Sequence, residues 1–116
     1  MNYQTQYKIE QLEDEHKLEI KKLQDEIDWL FEQKRRIVRE NQQTYDKAQY
    51  LRSKNLLHSE CQNKLINILD EYKNESDYVL NARINELEWK IEDCKSDFRR
   101  KYDQLLEEDY YAQSIE

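Results

Sequence analysis

A chain of 116 residues with no glycine and no proline has few folds open to it. Hairpin turns need positive φ, which glycine supplies at little steric cost, and proline presets φ in many tight turns. Compact loops and strand connections are therefore disfavoured, and long helices remain. Charged residues make up 39% of the chain and hydrophobic residues 37%, too few for a thick globular core. That balance suits helices that each bury one stripe. Disorder is the rival reading of so polar a chain. The regular apolar stripe and nine tyrosines argue against it.

The stripe is a heptad repeat beginning at Ile9. Its a-type positions are Ile20, Ile27, Lys34, Asn41 and Ala48, and its d-type positions are Ile9, His16, Leu23, Leu30, Ile37, Thr44 and Leu51. A second run carries Cys61, Leu65, Ile68, Tyr72, Leu80, Ile84, Leu87, Ile91, Cys94, Phe98, Tyr102 and Leu105. From Tyr72 through Ser76 and Leu80 to Ile84 it steps in fours, a local slip from the heptad. Between the runs, Ser53-Lys54-Asn55-Leu56 reads as a turn, because Asn55 can take the left-handed conformation that ends a helix. Ser59 and Gln62 have the form of a capping box for the next helix. A single continuous helix is the alternative.

Folding the chain back at Asn55 brings residue i near residue 110 minus i. Leu30 then meets Leu80, Ile27 meets Ile84, Leu23 meets Leu87 and Ile20 meets Ile91. Further out, His16 meets Cys94, Leu12 meets Phe98 and Ile9 meets Tyr102. Lys34, Arg35 and Arg39 come to face Asp70, Glu71, Glu75 and Asp77, and Glu10 and Glu13 face Arg99, Arg100 and Lys101. The expectation is an all-α, antiparallel, coiled-coil-like two-helix hairpin forming one domain over residues 1–116. Helix 1 should span about 8–53 and helix 2 about 58–108, with frayed termini. Three acids at Glu107-Glu108-Asp109 oppose the macrodipole at a helix C-terminus, so the tail either frays or is held by something else.

Several function classes lose ground on composition. The net charge is −7, all of it arising from residues 56–116, which disfavours nucleic acid and anionic membrane surfaces. The run Lys34-Arg35-Arg36-Ile37-Val38-Arg39 is short and reads as a solvated helix face. No apolar run approaches a membrane span and no signal-peptide pattern opens the chain, so a cytoplasmic protein is expected. Cys61 and Cys94 would lie roughly 50 Å apart on one helix, out of disulfide reach, and read as reduced, half-buried thiols. His16 with Cys94 and His58 with Cys61 place paired ligand types at opposite ends of the hairpin, which suits packing better than a metal. No glycine-rich loop or nucleophile turn is present, and the two histidines do not converge. Neither an enzyme nor a cofactor is expected.

The informative feature is a surplus of large apolar residues off the seam. Trp29, Phe31, Val38 and Tyr45 fall at c and e positions of the first helix, with Leu12 and Leu18 also off the a/d line. Ile66, Leu69, Tyr78, Val79 and Trp89 lie off the seam of the second. A contiguous apolar surface marks an interface, and Trp and Tyr are enriched at binding hot spots. Trp29, Phe31, Val38, Tyr45, Tyr78 and Trp89 are therefore the candidate partner-binding residues, and a helical protein is the expected partner. The alternative is self-association into a homodimeric four-helix bundle, as in a coiled-coil scaffold protein, for instance a phage-encoded one.

Three strings carry a family resemblance: Ile27-Asp28-Trp29-Leu30-Phe31-Glu32 followed by Lys34-Arg35-Arg36, then Leu87-Glu88-Trp89-Lys90-Ile91-Glu92-Asp93, and the ending Glu107-Glu108-Asp109-Tyr110-Tyr111. In these the chain resembles the small helical accessory proteins encoded beside LXG toxins of the type VII (Esx) secretion system in Gram-positive bacteria. The resemblance implies a partner that binds the N-terminal helical LXG domain of a toxin and helps present it for export. It implies a second small helical protein in the same complex, and export alongside the toxin as a further route. Two family features are missing. No Trp-x-Gly turn occurs, and the export pattern of Tyr followed four residues on by an acid fails, since Ser114 follows Tyr110 and Ile115 follows Tyr111. Any export signal would then lie on the companion.

Overall fold

The computed structural model describes residues 2–115. The chain is an all-α antiparallel two-helix hairpin, with α1 at Tyr3–Ser53 and α2 at Ser59–Ile115, and no strand occurs among the described residues. It divides into two compact units, one of Met1–Ile27 with Asn85–Glu116 and one of Asp28–Ile84.

The unit of Asp28–Ile84 contains the turn. Asn55 has φ 58°, the left-handed conformation expected of it. The amide of Leu56 donates to the carbonyl of Leu51 at 2.8 Å, and that of Asn55 to Arg52 at 2.9 Å. This pair of bonds is a Schellman cap, which satisfies carbonyls that the end of α1 leaves open. The start of α2 differs from the expected Ser59–Gln62 capping box. His58 is the cap: its carbonyl accepts from Gln62 at 3.0 Å and its Nδ1 accepts the amide of Glu60 at 3.2 Å. The Gln62 side chain turns inward instead, is 1% exposed, and accepts a hydrogen bond from Arg52 Nη1.

That inward turn sets the face of α2. Ile66 and Leu69 follow Gln62 at helical spacing and are half-buried, then Ser76 and Leu80. Cys61, Ile68 and Tyr72, expected in the seam, are exposed, and so are Thr44 and Leu51 on α1. The run of fours does not begin at Tyr72. Leu30, Ile37, Ala48 and Ile84 are buried. The polar a positions bridge the helices: Asn41 Nδ2 donates to the Leu69 carbonyl at 3.2 Å, and Lys34 Nζ to Asn81 Oδ1 at 2.8 Å.

In the unit of Met1–Ile27 with Asn85–Glu116, Ile9, Ile27, Leu87 and Ile91 are buried, and Leu87 is wholly so. Leu12, His16, Ile20, Leu23, Cys94, Phe98, Tyr102 and Leu105 are half-buried around them. His16 stacks on Phe98, with ring centroids 4.3 Å apart and planes at 18°, one helical turn beyond the expected Cys94. Both helices run past the expected bounds, α1 starting at Tyr3 and α2 reaching Ile115. Asn2 caps α1 through Oδ1, which accepts the amide of Gln4 at 2.8 Å, and its own amide donates to Asp109 Oδ1 at 2.9 Å. Thr5 and Asp109 are buried. Asp109, one of the three acids whose placement left the tail either to fray or to be held, bonds at the positive end of α1.

Candidate partner-binding surface

With the seam filled, large apolar side chains remain outside it. Trp29 is 59% exposed and Trp89 72%, and Phe31, Val38, Tyr45 and Tyr78 are also on the surface. Leu18 and Val79 are exposed too, whereas Leu12, Ile66 and Leu69, expected off the seam, are half-buried.

The six candidate residues do not form one cluster. Phe31 and Val38 line an open groove of about 470 Å³ in the turn-bearing unit, walled by Lys34, Arg35 and Arg39 of α1 and by Lys73 and Asp77 of α2. Tyr45 lies one heptad beyond Val38 on the same line of α1 and outside the groove, with its hydroxyl accepting from Gln49 at 2.7 Å. Neither Trp29 nor Tyr78 lines it. Trp89 belongs to the other unit, in a hollow with Asn85, Glu88 and Glu92.

Asp77 of the α2 wall was expected opposite Lys34, Arg35 and Arg39, whereas Lys73 was not expected as part of a binding surface. Sequence reasoning missed a second apolar hollow of the same unit, lined by Gln33, Ile37, Tyr72, Glu75, Ser76, Val79 and Leu80. Tyr72 and Val79 stand seven residues apart, which is a signal of a shared face. That signal was obscured by placing Tyr72 in the seam.

The charges flanking the groove pair along their own helix more than across the hairpin. Arg35 and Arg39 both bond to Glu32, at 2.9 and 3.1 Å, and Arg36 pairs with Glu40 at 3.4 Å. The expected facing acid Asp77 shares the groove, but the guanidinium hydrogen bonds of Arg35 and Arg39 go to Glu32. Those bonds, Arg35 first and then Arg39, hold the Glu32 carboxyl below the usual range. Neighbours at i+3 and i+4 on one helix are within reach without ordering a second element. Lys34 Nζ lies 5.7 Å from the Phe31 ring centroid, a cation–π distance.

In the other unit, His16, Glu19, Cys94 and Phe98 share a polar hollow. Burial pushes the Cys94 thiol up, and its hydrogen bond to the Glu19 carboxylate adds to the shift. Cys61, expected half-buried, is exposed, and both cysteines are free. No helix among the described residues is long and apolar enough to cross a membrane. No family model matches the chain, and no curated protein and no solved structure is similar enough to count as a match.

Proposed function

We propose that this chain is a non-catalytic binding partner for a helical protein, namely the N-terminal helical LXG domain of a type VII secreted toxin, which it helps present for export. One observation carries the binding role: Trp29, Phe31, Val38 and Trp89 stay exposed after the hairpin has closed its own seam. Large apolar side chains left on a surface are recovered by association, and aromatic ones contribute most at the centre of an interface. The identity of the partner rests on the resemblance of the Ile27–Glu32 and Leu87–Asp93 strings to the LXG-associated accessory proteins.

The test is co-expression of the chain with the N-terminal domain of a candidate LXG toxin, followed by affinity capture and sedimentation of each protein alone and together. A defined complex, weakened by Trp29→Ala or Trp89→Ala with helicity intact, supports the reading. A stable homodimer that ignores the LXG domain would sink it in favour of a self-associating scaffold.

A further inference from the structure

We propose that the Phe31–Val38 groove of the turn-bearing unit receives a partner's amphipathic helix whose apolar stripe is edged by Asp and Glu. This rests on the reading that the chain binds a helical partner, and it adds where the helix lies and what charge it carries.

The argument begins with spacing on α1. Phe31, Val38 and Tyr45 recur every seven residues, one position after the d-type Leu30, Ile37 and Thr44. Seven-residue spacing keeps side chains on one face, drifting by only about 20° per heptad. An apolar line at e beside a and d is the pattern of a helix with two helical neighbours, whereas a strict a/d line has one. Leu30 and Ile37 of the a/d line are buried in the hairpin, while Phe31 and Val38 are 41% and 49% exposed. The e line is therefore left for a third helix.

The walls select among helices. Lys34, Arg35, Arg39 and Lys73 stand around the groove against the single acid Asp77, on a chain whose net charge is −7. Glu32 offsets part of this by holding Arg35 and Arg39. Lys34 donates to a neutral amide, Asn81, and Lys73 has no carboxylate partner among the described residues. A helix edged with acids gains at the α1 wall, where Lys34, Arg35 and Arg39 stand, and at Lys73 across the groove, while one edged with lysines meets that positive excess and is repelled. A second copy of the chain brings the same net charge of −7 and meets overall repulsion.

The experiment uses the full-length protein and two labelled synthetic helical peptides with the same leucine stripe, one edged with Glu and the other with Lys. Fluorescence anisotropy should show binding of the Glu-edged peptide, weakened by added salt, and little binding of the other. Arg39→Glu with Lys73→Glu should weaken the Glu-edged peptide about tenfold and invert the preference. Val38→Asp should abolish binding with unchanged circular dichroism. Equal binding of both peptides, or binding of neither, would overturn the assignment. So would concentration-dependent dimerisation removed by Val38→Asp, which would give the groove to a second copy. Capture of the LXG domain separates the two claims. Normal capture by Val38→Asp keeps the proposed function and removes the groove. Charge-selective peptide binding without LXG capture keeps the groove and removes the toxin partner.

Discussion

Asp109 Oδ1 accepts the backbone amide of Asn2 at 2.9 Å, so a carboxylate six residues before the end of α2 sits at the start of α1. The other oxygen of Asp109 accepts from Gln113 at 3.1 Å, and the residue is buried. Asp109→Ala should cost about 1–2 kcal/mol, the scale of a hydrogen bond to a charged group combined with a favourable macrodipole contact. Hydrogen exchange should localise the loss to residues 3–9 and 105–113. Unchanged protection there would mean the clamp contributes nothing.

The register of each unit can be tested separately. Asn41 bonds to the Leu69 carbonyl, the partner given by folding back at Asn55, which places Ile37 opposite Lys73 one turn earlier. In the other unit, Leu23 and Leu87 face one seam, half-buried and buried. With Cys61 and Cys94 changed to Ser, cysteine pairs at Ile37/Lys73 and at Leu23/Leu87 should each oxidise readily. A helical protein in which neither pair forms would have a different register.

Much of the hairpin was legible in the residues, and the exceptions have physical causes. Asn55 stood out because a chain without glycine has few residues that tolerate positive φ. The seam from Ile9 to Ile37 and from Leu80 to Leu105 was legible because apolar residues there follow one line. Between Cys61 and Tyr72 two lines compete, the expected Cys61–Leu65–Ile68–Tyr72, of which only Leu65 is half-buried, and Gln62–Ile66–Leu69, and both have helical spacing. The choice is made by a polar bond across the turn, Arg52 to Gln62, which hydropathy does not register. The Phe31–Val38 line was readable as surface, but its α2 wall depends on the register between helices. The charge pattern misled for a different reason. Facing acids predicted the hairpin, yet Arg35 and Arg39 bond to Glu32 on their own helix.

The two thiols should differ in reactivity. Cys61 is exposed, while Cys94 is half-buried with its pKa raised by burial and by Glu19. The thiolate is the nucleophile, so a raised pKa slows alkylation at neutral pH. Iodoacetamide should modify Cys61 first, and Glu19→Gln should speed the reaction of Cys94. Intact mass under non-reducing conditions should show both thiols free, and an intrachain disulfide would contradict the continuous α2.

The Glu32 carboxyl should titrate low. Its folded value is depressed by hydrogen bonds from Arg35 and then Arg39. A depressed folded value means the ionised group favours the folded state above the ordinary glutamate range, and that contribution is lost as pH falls through the folded value. Carboxyl NMR should find Glu32 titrating below the ordinary glutamate range, and Arg35→Gln should return it toward that range. Because Glu32 is exposed, the consequence for overall stability is small. An ordinary titration of Glu32 in the unmodified protein would show that these ion pairs do not persist in solution.

The sharpest contrast is between Leu87 and the tryptophans. Leu87 is wholly buried, so Leu87→Ala should cost about 2–5 kcal/mol of folding stability through the cavity it leaves. Trp29 and Trp89 are mostly exposed, so truncating either should change stability by no more than about 0.5 kcal/mol. If they are hot spots, the same truncations should each weaken partner binding by about 2 kcal/mol. Urea unfolding and capture of the LXG domain, measured on the same three variants, separate the two roles. Trp29→Ala that loses helicity while capturing its partner normally would place Trp29 in the core and move the interface to another face of the hairpin.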